Sequence, residues 1–143
     1  MTSPKAALQN LQKIGQLSPE PASKSEFNGL VLSGDQMLPD AETASLSPNS
    51  RFRLAYDAAH SFAFAALRWH GFRSENRYMV FQALQHTLSF PTAKWRFLDD
   101  CHKKRNTTVY EGDYFSDEQL IKELIALAKE LQAAVKALGP IQS

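Results

Sequence analysis

Residues 47–71, SPNSRFRLAYDAAHSFAFAALRWHG, decide the fold of this chain. Serine followed by proline is a helix start, because serine caps the first turn and proline suits the first helical position. Gly71 is a natural stop. In between, apolar residues recur every three or four positions in two adjoining seams: Phe52, Ala55, Ala59, Phe62, Ala66 and Trp69, and Tyr56, Ala63 and Leu67. This pattern predicts a central, largely buried helix whose alanines let neighbouring helices approach closely.

Amphipathic segments flank this central helix on both sides. Capping boxes, in which a serine is followed three residues later by Glu or Gln, open the segments that begin at Ser23 and Ser116. Thr92 is the expected cap of another. With the central helix included, the predicted helices cover about residues 4–14, 23–38, 48–70, 76–88, 93–110 and 117–138.

Three local features modify this pattern. Gly34 should weaken the second helix, and Pro39 should kink or end it. The β-branched run 107–109 predicts a distortion or an early end of the fifth helix, before Gly112 stops it. No run alternates with period two for long enough to predict a strand. We therefore predict an all-α, up-and-down antiparallel bundle of five or six helices.

The composition is that of one ordinary globular domain. At 143 residues, with 43% hydrophobic residues, a single core is feasible, and we expect one domain over 1–143, with an N-terminal helix and loop at 1–22 and the main bundle at 23–138. Cys101 is the single cysteine, so an intrachain disulfide is excluded. The longest nearly apolar run, 58–67, is half of what a membrane span needs. No signal-peptide pattern opens the chain, so we expect a cytoplasmic protein without a membrane partner.

Charge is unevenly distributed along the chain. Residues 51–110 carry ten Lys and Arg against four acids and hold all four histidines. Residues 1–50 carry three Lys against five acids, and residues 111–143 carry three Lys against six acids. A basic middle segment is compatible with a polyanionic partner. A basic, solvated surface without such a partner explains it equally well.

The most informative polar stretch is residues 99–111, DDCHKKRNTTVYE. Its two aspartates stand four residues before its two lysines, which is the spacing of helical ion pairs. Arg105 has no acid four residues away on either side, and it continues the inward stripe of Trp95, Leu98 and His102. An inward guanidinium needs a partner from elsewhere.

Asp57 is a charged residue within the apolar central helix. Its spacing leaves three partners open: Arg53 and Arg68 on the same helix, and Arg105 on a neighbouring one. A carboxylate in an apolar setting needs such a partner.

Several groups of residues together resemble a known family. They are residues 97–106 followed after three positions by Tyr110-Glu111, the sequence Ala-Tyr-Asp-Ala-Ala at 55–59, and Gly-Phe-Arg at 71–73. The leading segment from Leu8 to Glu26 takes part too, so the likeness covers most of the chain. With these pieces in this order and spacing, the chain resembles a small bacterial HEPN-domain protein.

The resemblance implies a fold, partners and a site. HEPN domains are four- or five-helix up-and-down bundles that usually form two-fold dimers, and many are metal-independent endoribonucleases of toxin–antitoxin or phage-defence systems. Their signature is Arg, usually a polar residue, and then His four to six residues on, and two such motifs face each other across the dimer. The implied partners are a second copy of the chain, RNA or a nucleotide, and a cognate toxin or antitoxin protein.

Arg105 and Asn106 match the front of that signature, and Tyr110 stands at the His position. Metal-independent RNA cleavage needs a base, an acid and a group that stabilises the charged phosphorane. Imidazole serves as acid or base near neutral pH, and Arg stabilises charge. Tyr, with an ordinary pKa of about 10, donates a proton but is a poor base. The predicted catalytic residues are Arg105, Asn106, Tyr110 and, as an auxiliary base, His102.

Two functions remain open from the sequence. The chain is either a weak metal-independent endoribonuclease or a catalytically inactive nucleotide- or RNA-binding or adaptor module, antitoxin-like in role. Structural interpretations compete too: Arg105 as an ion pair, Asn106 as a helix-end hydrogen bond, Tyr110 as a packed aromatic and His102 as a satisfied histidine. We predict no metal and no cofactor, because the histidines lack zinc-like spacing and no glycine-rich loop cradles phosphate.

Overall fold

A computed structural model describes residues 3–141. Its elements, in chain order, are α1 (Pro4–Lys13), β1 (Ser18–Pro19), α2 (Lys24–Ala41), α3 (Pro48–Trp69), β2 (Phe72–Arg73), α4 (Arg77–Gln82), α5 (Leu84–Thr87), α6 (Thr92–Tyr110) and α7 (Glu118–Lys136). The short α4 and α5 are one predicted helix interrupted at Ala83. With these two taken together, the described part of the chain forms six helices in antiparallel packing, so the predicted all-α bundle is confirmed.

The central helix α3 organises the bundle. It packs most extensively against α2 and α7, and its opposite side contacts α4, α5 and α6. Ser47 caps it as predicted, accepting a hydrogen bond from the Ser50 amide at 3.1 Å. Every residue of the two predicted seams is buried except the half-buried Trp69. The polar residues of α3, among them Asp57 and His60, lie on a face that is only partly buried.

Helix α6 runs without interruption to Tyr110, so the predicted distortion or early end at residues 107–109 is wrong. The hydroxyls of Thr107 and Thr108 each donate to a carbonyl three residues earlier, at 2.8 Å. These bonds satisfy the hydroxyls of both threonines within the helix. Gly112, at φ +77°, lies just beyond the end of the helix, as predicted. The motif residues therefore project from a regular helix.

Helix α2 passes through both residues that were expected to weaken it. Gly34 lies against the Phe62 ring of α3, and a Cβ there would come within 2.5 Å of a ring carbon. The glycine therefore permits close helix packing. Pro39 lies in the last turn, and the helix ends two residues later at Ala41.

Two helix caps and one pair of strands differ from the prediction. Pro91, rather than Thr92, precedes α6 at the cap position, and Asp117, rather than Ser116, caps α7 by accepting from the Leu120 amide at 3.1 Å. The strands β1 and β2 form a two-residue antiparallel pair, which is too short to leave an alternating pattern in the sequence.

Four charged side chains fasten the segment before α2 to the end of α3. Arg68 is 1% exposed and pairs with Glu26 and Glu20, and Arg73 pairs with the same two glutamates. The Arg68 guanidinium also donates to three backbone carbonyls, those of Glu20, Pro21 and Phe72. The hydrogen bond from Arg68 is the main cause that lowers the pKa of Glu26. We call these four residues the scaffold cluster.

No helix among the described residues is long and apolar enough to cross a membrane.

Candidate functional site

Helix α6 brings three of the four predicted site residues together. Arg105 Nη1 donates to Asn106 Oδ1 at 3.4 Å, and Asn106 Nδ2 lies 3.5 Å from His102 Nε2. Residues 102 and 106 are one helical turn apart, so this proximity follows from the helix itself. All three side chains are half-buried, between solvent and the bundle.

Two further residues extend this group from other helices. The Tyr56 hydroxyl of α3 lies 3.2 Å from His102 Nδ1 and accepts from Arg77 Nη1 of α4 at 3.1 Å. The Arg77 guanidinium is also 5.6 Å from the centre of the Tyr56 ring, in cation–π range. We call the connected set the relay site; its members are Arg77, Tyr56, His102, Asn106 and Arg105. Tyr56 was predicted as a core residue and belongs to the 55–59 stretch of the resemblance, but not as a site residue, and no sequence signal pointed to Arg77.

Groups that can only donate determine the direction of each hydrogen bond in the relay site. Arg105 can only donate, so the Asn106 amide presents its oxygen to Arg105 and its nitrogen to His102. His102 Nε2 therefore accepts, and the neutral ring carries its proton on Nδ1, which donates to the Tyr56 oxygen. Because that oxygen also accepts from Arg77, the Tyr56 proton is free for another acceptor. His102 thus presents an unprotonated nitrogen on the side of Asn106 and Arg105.

Burial and positive charge keep the relay site in this protonation state. Burial first, and then the charge of Arg77, lower the pKa of His102 below its ordinary value. Burial raises the pKa of Tyr56 against the opposing effects of Arg77 and Arg105. A neutral imidazole and a neutral phenol at pH 7 follow from these directions.

Asp57 lies beside the relay site without a salt bridge to any described residue. Burial raises the pKa of its carboxyl, although Arg105, Arg77 and Arg53 all act to lower it. Of the three partners left open by the sequence, Arg68 is engaged in the scaffold cluster. Arg53 and Arg105 are electrostatic neighbours of Asp57 that make no direct ion pair with it.

The arginines fall into two groups, those that form a salt bridge with an acid and those that do not. Arg51, Arg68 and Arg73 pair with glutamates. The other four form no salt bridge with any acid that the structure describes: Arg53, Arg77, Arg96 and Arg105. Arg96 is exposed and lies over the Trp95 ring, whereas the charges of the remaining three act to lower the pKa of Asp57. Guanidiniums are permanently charged, and burial disfavours ionisation of the one carboxyl group near them. Such a group of charges attracts anions.

The His60 ring packs with aromatic side chains next to the relay site. Its ring is stacked near Tyr56 and Phe64, with centroid separations of 6.5 and 6.0 Å. Burial, with further effects from Arg77, His102 and Arg105, lowers the pKa of His60 to about 3. The imidazole is therefore neutral throughout the physiological range and acts as a packing group.

Tyr110 stands apart from the relay site. It is the last residue of α6 and is 76% exposed, and no described side chain hydrogen-bonds its hydroxyl. The structure thus brings Arg105, Asn106 and His102 into one network and leaves the predicted fourth member at the surface one turn away.

Metal and thiol chemistry have no support in the described residues. No group of three or more His, Cys, Asp or Glu within residues 3–141 is arranged to hold a metal ion. Cys101 is buried, and burial raises the pKa of its thiol to about 12, so it is not a nucleophile.

Fold and site together define a helical bundle that displays a neutral histidine near arginines that form no salt bridge with a described acid. Comparison of the chain with models of protein families, with curated proteins and with solved structures finds no match. The function is therefore argued from the chemistry of the site.

Proposed function

We propose that this chain is a HEPN-like RNA-directed protein of toxin–antitoxin or phage-defence type that acts as a weak, metal-independent endoribonuclease. The observation that carries the proposal is the relay site, in which the Arg105–Asn106 pair of the motif is joined to a neutral His102. Arginines without acid partners provide the positive charge that an RNA phosphate needs. The toxin–antitoxin or defence context comes from the resemblance alone.

His102 is the proposed general base. The 2′-hydroxyl first replaces the Asn106 amide as the hydrogen-bond donor to Nε2; Nε2 then takes its proton, the 2′-oxygen attacks the adjacent phosphorus, and the bond from phosphorus to the 5′-oxygen breaks. Arg105 stabilises the charge of the phosphorane, and Asn106 orients both groups through its amide. The products are a 2′,3′-cyclic phosphate and a 5′-hydroxyl.

Tyr110 is the proposed general acid. Its exposed hydroxyl gives its proton to the leaving 5′-oxygen, and the proton held by His102 afterwards returns to the phenolate. A phenol with an ordinary pKa of about 10 is a slow acid at pH 7. The enzyme is therefore weak compared with one that has histidine at this position.

A homodimer is part of the proposal. Val109, Tyr110 and Tyr114 are exposed near the end of α6, next to Arg105 in sequence. Aromatic residues are enriched in protein interfaces, so a second copy that packs here would bring two motifs together, as the resemblance implies.

A non-catalytic binding module is the second candidate. The separation of Tyr110 from the relay site favours it, because a site without a positioned acid binds phosphate without cleaving it. The ligands would then be RNA or a nucleotide, and a cognate toxin or antitoxin protein would be the further partner. Replacing Tyr110 by histidine in this module should produce cleavage.

The test is incubation of the purified protein with single-stranded RNA, with and without EDTA. We expect slow cleavage that EDTA does not affect and that falls about 100-fold or more in Arg105→Gln, because a charge stabiliser is lost. Arg96→Gln is the matched control, since it removes the same charge from an exposed position of the same helix. Its rate should stay close to that of the wild type.

The outcome separates the two candidates. Binding of RNA without any cleavage at high protein concentration, followed by cleavage in Tyr110→His, selects the binding module. Equal loss of cleavage in the Arg105 and Arg96 variants means that only overall charge matters, and the relay site then has no catalytic role.

A further inference from the structure

Tyr56 belongs to the relay site but has no part in the proposed cleavage. It is fully buried on α3, and its ring packs edge-on against Phe81 with a centroid separation of 6.0 Å. Arg77 Nη1 donates to its hydroxyl oxygen at 3.1 Å, and the same oxygen lies 3.2 Å from His102 Nδ1. The phenol oxygen is therefore held in a fixed position against one ring nitrogen of His102.

His102 can act as a base only if its proton stays on the nitrogen that faces away from the substrate. The hydrogen bond that each ring nitrogen makes decides where this proton lies, and enzymes commonly use a third group to hold it there. Without substrate, the Asn106 amide donates to Nε2 and keeps that nitrogen unprotonated. Once the 2′-hydroxyl has replaced the amide, the contact between Nδ1 and Tyr56 must hold the proton.

We propose that Tyr56 is the positioning residue of His102: its oxygen accepts the hydrogen bond from Nδ1 and leaves Nε2 free to take the proton of the 2′-hydroxyl. The inference rests on the proposed function, because it assigns a role within the same reaction. Arg77 supports this role, since its bond to the same oxygen keeps the hydroxyl from turning away from His102. Tyr56 itself does not need to touch the RNA.

The opposite direction of the hydrogen bond between Tyr56 and His102 creates a conflict between donors. If Tyr56 donated to Nδ1, the ring proton would lie on Nε2 and would face the Asn106 amide nitrogen, which is also a donor. Turning the amide over would make its nitrogen face Arg105, which can only donate. The direction from His102 to Tyr56 avoids both conflicts.

The tautomer of His102 can be read directly by NMR, because ring nitrogens with and without a proton have well-separated 15N chemical shifts. The full chain is labelled with 15N in its histidines, and the signals of His102 are those absent from His102→Gln. At pH 7 we expect a protonated Nδ1 and an unprotonated Nε2 in the wild type. Tyr56→Phe keeps the ring but leaves the Nδ1 proton without its acceptor, so the shift of Nε2 should move towards that of a protonated nitrogen.

Cleavage and binding of RNA separate this positioning role from a purely structural one. Single-turnover cleavage should fall about 100-fold or more in Tyr56→Phe, since a proton on Nε2 removes the base. Affinity for an RNA with 2′-O-methyl riboses, which attack of a 2′-oxygen cannot cleave, should stay unchanged.

Tyr78→Phe is the matched control. It removes the same hydroxyl group from an exposed ring of α4 that packs edge-on against Trp95. The tautomer of His102 and the cleavage rate should both stay as in the wild type.

A wild-type His102 with its proton on Nε2 would overturn the inference, and so would a Tyr56→Phe variant with the wild-type tautomer or the wild-type cleavage rate. Cleavage by the wild type is read separately. If the wild type cleaves RNA and the tautomer does not change in Tyr56→Phe, the proposed enzyme stands and the role of Tyr56 falls. If the tautomer changes but the wild type cleaves no RNA, Tyr56 still positions His102 and the proposed enzyme falls.

Discussion

Two groups of arginines in this bundle differ in what surrounds them. In the scaffold cluster, Arg68 and Arg73 are satisfied by two glutamates and, for Arg68, by three backbone carbonyls. In and near the relay site, Arg77 donates to a tyrosine and Arg105 to an asparagine side chain, and elsewhere on α3 the buried Nε of Arg53 has no hydrogen-bond partner among residues 3–141. Arginine thus stabilises the fold in the scaffold cluster, whereas around the relay site its guanidinium groups remain available to a ligand.

This difference shows how a buried charge that stabilises the fold can be distinguished from one that serves a functional site. A guanidinium whose donors are all occupied by acids and carbonyls contributes to stability, and its removal leaves uncompensated partners. A guanidinium without acids adds repulsion to its neighbours and is maintained at some cost in stability. Costs of this kind are concentrated at functional sites. Stability measurements therefore test the comparison directly.

The largest expected effect at neutral pH is on Arg68. Arg68→Met keeps much of the side-chain volume but leaves three backbone carbonyls and Glu26 without their donor, so we expect a loss of about 3 kcal/mol in the free energy of unfolding. Urea denaturation measures it. The matched variant Arg105→Gln should change stability by less than about 0.5 kcal/mol. The comparison breaks down if the two losses are similar.

The next effect concerns pH and His60. Its pKa in the folded protein is about 3, below the ordinary 6.5, so the unfolded chain binds a proton that the folded protein does not. Stability should therefore fall as the pH drops from about 6.5 towards 3, by at most about 1.4 kcal/mol per pH unit for this group.

His60→Phe keeps a ring against Tyr56 and Phe64 and removes this proton. Urea denaturation between pH 7 and pH 4 should show a shallower decline for the variant than for the wild type. Parallel declines in the two proteins would show that burial does not hold His60 neutral.

The smallest expected effect has the opposite sign. Because the pKa of Asp57 is raised in the folded protein, its ionised form costs stability, and this cost is present at pH 7 and disappears as the pH falls below its ordinary pKa. Asp57→Asn should therefore raise the free energy of unfolding at pH 7, by less than about 1 kcal/mol. A loss of stability at pH 7 would mean that Asp57 serves the arginines as the glutamates serve Arg68.

Much of the architecture was predictable because helices leave local signals. The two apolar seams of α3, its Ser-Pro start and the glycines after α1, α3 and α6 are all features of the sequence. The proximity of His102 and Asn106 follows from a spacing of four residues on one helix. The prediction failed at residues 107–109, where α6 continues as a helix and the Thr107 hydroxyl donates to a carbonyl of the preceding turn.

The sequence by itself therefore determined the helices, the buried face of each and the part of the candidate site that lies on a single helix. Only the tertiary structure decided that Tyr56 and Arg77, from two other helices, meet His102, that Tyr110 remains outside this network, and which arginines find acids. The physical reason is the separation along the chain over which each kind of interaction acts. Helical periodicity fixes neighbours within one turn, whereas contacts between helices depend on how side chains from distant positions pack.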